Sequence, residues 1–405
     1  MSTRGGKDKG HQNAGLARNG IARLRRAHSK SRTRPGNLQR LELDEDLLLK
    51  HSDDAHADTS GTLLARFNQM SAHLNQASND TACVNGEVCG FEGPTIVVRF
   101  DDGEEIPCQL RRRIKKLLRG EKSPLAIGDR VRVSTTAEGD RVIEGVHPRD
   151  NQLVRRDSHN ASLDHVFAAN VDALVVVSAV RDPHLKTGLI DRYLLIAALA
   201  DIPAVVVINK CDLAESDTAA ELYKRLHIPV FCTSTTSPHY LPEIAALRQH
   251  LRGRACVFAG HSGVGKSSLI NALYPQFQAR VGDVSQVLHK GRHTTTSARS
   301  YLLDDGSRLI DTPGIRELGV RVATAVDAAL LYSDIAHYHP QCRFPNCSHT
   351  HEPDCAVKQA VRDGHIALSR YGSFISLLAH DLGMDVSGSR DLLKPGDLDA
   401  YAGVE

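Results

Sequence analysis

The stretch Gly260-His261-Ser262-Gly263-Val264-Gly265-Lys266-Ser267-Ser268 fits Gly, four residues, then Gly-Lys-Ser. That spacing puts a backbone able to bend sharply ahead of a cation and a hydroxyl. It is a phosphate-binding loop when a strand precedes it and a helix follows. Both neighbours are present: Ala255-Cys256-Val257-Phe258-Ala259 reads as a short buried strand, and Ser268-Leu269-Ile270-Asn271-Ala272-Leu273 as the first turns of a helix. The glycines let several N–H groups converge on one point, and the helix N-terminus adds unpaired donors. Lys266 would reach the β- and γ-phosphates, and the Ser267 hydroxyl would bind Mg²⁺.

A second motif, Asn209-Lys210-Cys211-Asp212, closes an apolar strand. Asp212 can accept from the ring N–H and the exocyclic amine of guanine. Adenine offers neither donor there, and the carboxylate would be left unpaired. Asn209 can bond the base edge and tie the loop together, and the Lys210 stem can lie across the ring. After the next strand, Thr233-Ser234-Thr235 can offer backbone N–H groups to the guanine oxygen.

Asp311-Thr312-Pro313-Gly314 follows a further strand. Asp311 would hold the Mg²⁺ shell through water, and the Gly314 N–H would sense the γ-phosphate. Between it and the phosphate loop lies Gly291-Arg292-His293-Thr294-Thr295-Thr296, polar and unpatterned as a switch segment would be. One of its threonines would complete the Mg²⁺ shell. Ile315 stands where many GTPases carry a water-orienting Gln, so hydrolysis alone should be slow. His293 is the candidate for that work in cis; it reads equally as a loop histidine facing RNA or solvent.

Further on, Cys342, Cys347, His349 and Cys355 fall within fourteen residues. Three thiolates and one imidazole make a closed, structural zinc site. His339 and His351 are alternatives to His349.

These motifs need a scaffold. Residues 160–335 alternate strand and helix, which predicts a parallel sheet with helices on both faces and ligands at the strand carboxyl ends. The strands are expected at 172–180, 204–209, 229–233, 255–259, 301–303 and 308–311. Helices are expected at 188–200, 216–226 and 241–251, with two more around 356–361 and 369–382 beside the zinc loop. The guanine reader precedes the phosphate loop in the chain, the reverse of the usual order. A cyclic reordering allows this, since a packed sheet is indifferent to where the chain is cut.

Ahead of it, short alternating strands are expected at 83–91, 95–100, 104–110, 129–135 and 141–147. Five strands in about seventy residues suggest an OB-type barrel. Arg111-Arg112-Arg113-Ile114-Lys115-Lys116-Leu117-Leu118-Arg119 joins the third to the fourth, suited to RNA backbone contact or to plain solvation. Residues 1–40 hold eleven Lys or Arg against one acid, Asp8. They read as a disordered basic arm for a polyanion, a transit peptide or a solvated tail. Acidic residues follow between Glu42 and Asp58, and residues 61–80 read as a linker with one short helix.

The resulting division is a basic arm and linker (1–80), an OB-fold RNA-binding domain (81–150), a permuted GTPase domain (151–335), a zinc-binding domain (336–388) and a tail (389–405). The formal net charge of +2 averages these unequal segments. Nine cysteines, three of them bunched, indicate a reducing compartment with one metal site rather than a disulfide framework. No apolar run is long enough for a membrane span, and a monomer is expected.

A reordered GTPase, a preceding OB-like barrel and a trailing Cys₃His segment together resemble the RsgA or YjeQ family. The resemblance covers about residues 82–385. It implies a cytoplasmic GTPase that binds the maturing small ribosomal subunit and its rRNA, is stimulated by it, and leaves in the GDP state. The alternative reading is a GTP-regulated RNA-binding chaperone in which hydrolysis carries no functional weight.

Overall fold

The computed structural model describes residues 59–76, 84–93, 95–117, 125–156, 164–277, 299–311, 320 and 322–393. They fall in two compact units, one spanning Thr62–Val320 and the other lying within Arg321–Ala402.

Helix α1 (Thr59–Gln76) carries the chain into the first unit, eighteen residues where a linker with a short helix was expected. Phe67, Met70 and Leu74 line its buried face at helical spacing. Asn68 anchors it: Nδ2 donates to the Arg149 carbonyl at 2.9 Å, and Oδ1 accepts the Arg149 N–H at 2.7 Å. The Ser71 hydroxyl donates to the Val146 carbonyl. These partners lie far along the chain, so no local pattern announces them.

Five strands follow: β1 (Gly86–Glu92), β2 (Thr95–Phe100), β3 (Glu105–Leu110), β4 (Arg130–Thr135) and β5 (Arg141–Val146). They close a barrel in the order β1-β2-β3-β5-β4, as an OB-type fold requires. Helix α2 (Arg112–Leu117) joins β3 to β4, burying Ile114 and exposing Arg112, Arg113 and Lys115. Asp129 and Arg149 form a buried two-pronged ion pair at 2.7 and 2.8 Å. Such a pair holds only when its other hydrogen-bonding groups are satisfied. Ala126 N–H donates to Asp129 at 2.8 Å, Gln152 accepts from Arg149 at 3.0 Å, and the guanidinium lies 3.5 Å from the Phe67 ring centre.

An antiparallel pair, β6 (Gln152–Arg156) and β7 (Asp164–Ala169), has no counterpart among the strands expected from the sequence. Then comes a six-stranded sheet of β8 (Ala173–Ala179), β9 (Ala204–Asn209), β10 (Val230–Cys232), β11 (Ala255–Ala259), β12 (Arg299–Leu302) and β13 (Arg308–Asp311), ordered β10-β9-β8-β11-β13-β12. Its helices are α3 (Thr187–Ala200), α4 (Asp217–Arg225), α5 (Leu241–Leu251) and α6 (Lys266–Leu273). The sheet is parallel except at one edge, where β12 runs antiparallel to β13. This corrects the all-parallel expectation. Only residues 303–307 join these strands, too few for a parallel crossover. Val175, Val177, Val205 and Val207 pack with Leu269, Ile270 and Leu273 of α6 in the core.

Barrel and sheet meet through charge. Arg99 of β2, only 7% exposed, donates to Glu105 at 2.7 Å and to the Ser300 carbonyl of β12 at 2.5 Å. Arg299 donates to the other Glu105 oxygen at 2.8 Å, and Arg308 pairs with Glu87.

The second unit holds α7 (Ala325–Leu331), α8 (Ser333–Tyr338), α9 (Ala356–Arg362) and α10 (Leu368–His380). Thr324 caps α7 by accepting the Asp327 N–H at 3.1 Å. Arg370 reaches Asp334 at 3.0 Å while its guanidinium sits 4.5 Å from the Tyr332 ring centre. Among the described residues no helix is long and apolar enough to cross a membrane.

Candidate nucleotide site and metal centre

β11 leads into Gly260, whose φ of +145° belongs to glycine; a Cβ there would lie 2.0 Å from the Val177 carbonyl oxygen on the neighbouring strand. Gly265 (φ +90°) meets an equal restriction, since its Cβ would fall 2.4 Å from Asn209 Nδ2. Gly263 is also left-handed. Helix α6 starts directly at Lys266, so its first N–H groups lack intrahelical acceptors beside the loop. Lys266 Nζ donates to the Gly260 and His261 carbonyls, both at 2.7 Å. Val264 is buried, Ser267 half-buried, and Ser262 and Ser268 exposed.

The loop after β9 is joined to this one. Asn209 is buried; its Nδ2 donates to the Val264 carbonyl at 2.9 Å, and its Oδ1 accepts from the Thr233 hydroxyl at 3.1 Å. The side chain thus ties three loops together. Lys210 adopts φ +60° and donates to the Asp182 carbonyl. The Cys211 thiol donates to the Ile208 carbonyl at 3.1 Å.

Asp212 is exposed. The Ser234 hydroxyl, then Thr236 and the Lys210 charge, hold its carboxyl below the usual carboxylate range despite slight desolvation. Thr236 Oγ1 donates to Asp212 at 3.2 Å, and Tyr240 OH donates to the Cys211 carbonyl at 2.9 Å. Sequence reasoning missed Thr236 and Tyr240. The Thr-Ser-Thr run pointed near the first, and nothing local pointed to the second.

Asp311 ends β13, where burial alone pushes its carboxyl up to about 7. A divalent cation beside it would restore the anion, so the residue fits a Mg²⁺ shell. His293, the threonines at 294–296, and Thr312, Pro313 and Gly314 lie outside the described residues.

In the second unit, Cys342, Cys347, His349 and Cys355 bring their ligand atoms within 4.8 Å of one another. Cys342 Sγ lies 3.9 Å from Cys355 Sγ and 3.6 Å from His349 Nδ1, which is 3.3 Å from Cys355 Sγ. Tetrahedral zinc with bonds of about 2.0–2.3 Å requires ligand separations of roughly 3.3–3.8 Å, so the donor set fits. His339 is not a substitute ligand: its Nδ1 meets His349 Nε2 at 2.9 Å and orients the ring. His351 turns to the Thr350 hydroxyl at 2.9 Å. Burial first, then the neighbouring His339, pushes His349 down to about 4, keeping it neutral as a ligand must be. Glu352 accepts the Ser348 N–H at 2.6 Å and its hydroxyl at 2.7 Å, bracing the loop.

Fold and site together define a circularly permuted P-loop GTPase with an OB-type barrel and a Cys₃His centre. The family model described as RsgA GTPase matches residues 146–321. A Porphyromonas gingivalis protein named small ribosomal subunit biogenesis GTPase RsgA is 38% identical over 308 residues, covering 73% of this chain and 96% of the relative. The crystal structure of YjeQ from Thermotoga maritima matches with a TM-score of 0.59 at 31% identity, covering 74% of this chain and 99% of that one. YloQ, described as a circularly permuted GTPase, matches with a TM-score of 0.57 at 26% identity, covering 76% and 97%. The chain belongs to the RsgA GTPase family.

Proposed function

We propose that this GTPase acts in late maturation of the small ribosomal subunit, binding rRNA while GTP is held and leaving once it is hydrolysed. The observation that carries the nucleotide half is the 2.9 Å bond from Asn209 Nδ2 to the Val264 carbonyl. It joins a guanine-reading loop to a phosphate loop that lies 55 residues away in the chain. The relatives' names supply the subunit half.

In this reading Asp212 reads guanine, and Ser234 and Thr236 hold it in place. Lys210 flanks the base, and Cys211 completes the loop. Residues 260–268 wrap the phosphates, with Lys266 leaving the Gly260 and His261 carbonyls to meet the β- and γ-oxygens. Mg²⁺, when bound with GTP, neutralises the phosphate charge that develops in transfer to water. Ser267 and Asp311 are its holders here, and Gly314 the γ-phosphate sensor. His293 orients the attacking water, since Ile315 cannot. The Cys₃His centre holds one structural zinc.

The exposed basic face of α2 suits rRNA backbone contact, with Arg112, Arg113 and Lys115 available and Arg111 engaged by Glu144. The domain boundaries expected from the sequence stand as part of this proposal. So do a cytoplasmic monomer and the absence of a membrane partner. The test is single-turnover GTP hydrolysis with and without purified small subunits. Isolated protein should turn over slowly and rise by orders of magnitude with subunits. Fast isolated turnover, unaltered by subunits, would overturn this mechanism, and a Lys266→Ala variant with unchanged phenotype would favour the RNA-chaperone reading.

A further inference from the structure

Asp212 leaves the chain from Cys211, and all three polar groups of Cys211 are taken. Its N–H donates to the Thr233 carbonyl at 3.1 Å, and its thiol to the Ile208 carbonyl at 3.1 Å. Its carbonyl accepts from the Tyr240 hydroxyl at 2.9 Å. The first two partners belong to β9 and to the residue after β10. The third comes from elsewhere. Tyr240 ends a short 3₁₀ turn (Pro238–Tyr240) and stands directly before Leu241, where α5 begins. Ile244, Leu247 and Leu251 of that helix are buried in the core of the sheet.

The Cys211 carbonyl and the Asp212 N–H are two ends of one rigid peptide plane. A bond that fixes the oxygen fixes the plane, and the plane sets the direction in which the Asp212 side chain departs. Asp212 is exposed, so packing does not set that direction. Thr236 Oγ1 donates to Asp212 Oδ2 at 3.2 Å, and Ser234 braces Thr236 by accepting its N–H at 3.2 Å. That contact restrains one carboxylate oxygen from an exposed threonine. Guanine asks for more. Its ring N–H and exocyclic amine need both oxygens at once, in the plane of the base.

We infer that Tyr240 is a positioning residue for base selection: its hydroxyl, carried on α5, holds the Cys211–Asp212 peptide so that the Asp212 carboxylate meets both guanine donors together. This role holds only with residues 209–212 read as a guanine loop. Without the hydroxyl the loop keeps its bonds to Thr233 and Ile208, and the carboxylate gains freedom to tilt. A base with two donors loses most by that tilt. A base with the ring N–H alone loses less, because a single hydrogen bond can follow the carboxylate.

The experiment titrates GDP and inosine diphosphate, which lacks the exocyclic amine, into the full-length protein and into Tyr240→Phe by calorimetry. GDP should bind the variant about tenfold more weakly and inosine diphosphate about twofold, so the preference for GDP narrows about fivefold, the scale of one hydrogen bond. A variant that is partly unfolded weakens both nucleotides alike, so the ratio still decides. In an Asp212→Ala background, Tyr240→Phe should cost GDP nothing further, since it acts through the missing carboxylate. Equal weakening of both nucleotides overturns the inference and leaves Tyr240 a structural residue, as does a full additional loss in the Asp212→Ala background. Unsubstituted protein that holds GDP no better than ADP would instead sink the guanine-loop reading itself.

Discussion

The nucleotide loops and the metal centre hold polar groups in place by opposite means. The metal ligands come from fourteen neighbouring residues whose sulfur and nitrogen atoms converge within 4.8 Å. Their convergence is local, and an ion is what makes it favourable, because buried thiols otherwise stay protonated. The nucleotide loops come from distant stretches and meet because β9 and β11 flank β8 in one apolar sheet. There the order is supplied in advance by packing, and glycines make the tight loop conformation accessible. A centre built around its ion should fail with the ion; a pocket built on a sheet should fail only when the backbone is disturbed.

The largest test of this contrast is metal removal. Structural zinc contributes on the order of 10 kcal/mol, comparable to a whole domain's stability. Chelation, or Cys355→Ala, should therefore unfold the second unit. Hydrogen exchange should speed through α9 and α10 while β8, β9 and β11 keep their protection. Loss of protection in both units would erase the distinction.

Next comes Gly260→Ala. A positive φ and a carbonyl oxygen 2.0 Å from the new methyl cannot both be accommodated. The cost should be about 3 kcal/mol or more in urea unfolding, with loss of GDP binding. A variant of unchanged midpoint would show that packing does not fix the loop.

Asn209→Ala should cost about 2 kcal/mol, since the Val264 carbonyl and the Thr233 hydroxyl lose their partner inside the protein. Calorimetry should show weaker GDP affinity with the metal centre untouched.

The smallest effect is expected at the barrel–sheet junction. Burial would raise the Glu105 carboxyl, but the hydrogen bonds and charges of Arg99 and Arg299 prevail and hold it below the usual range. A lowered folded pKa means stability that is present above the unfolded value near 4.5 and is lost as the pH falls through the folded one. Glu105→Gln should cost about 1 kcal/mol at neutral pH and flatten this acid dependence. An unchanged pH profile of the urea midpoint would remove Glu105 from the junction.

Legibility divides along the same line. Residues 204–209, 241–251 and 255–259 matched their elements end to end, because runs of apolar residues or helical spacing bounded by turns are local signals. The cluster of Cys342, Cys347 and Cys355 was equally plain, and the choice of His349 over His339 and His351 was not. That choice follows from which imidazole nitrogen faces the sulfurs and which faces another ring. Thr236 and Tyr240 were invisible for a similar reason: each matters only through a hydrogen bond across 24 or 29 residues. Helix α1 looked like a linker because its anchor, Arg149, lies 81 residues beyond Asn68.

The chain alone determined which chemistry is available: glycines and Lys266 for phosphate, Asp212 for guanine, three thiols and an imidazole for metal. Residue type and short spacing encode such capacity. Only the tertiary structure decided that Asn209 is a tether, that β12 runs backwards against β13, and that a helix grips the barrel through Arg149. Each of these depends on groups brought together by burial of apolar surface, a cooperative event that no single stretch of sequence contains.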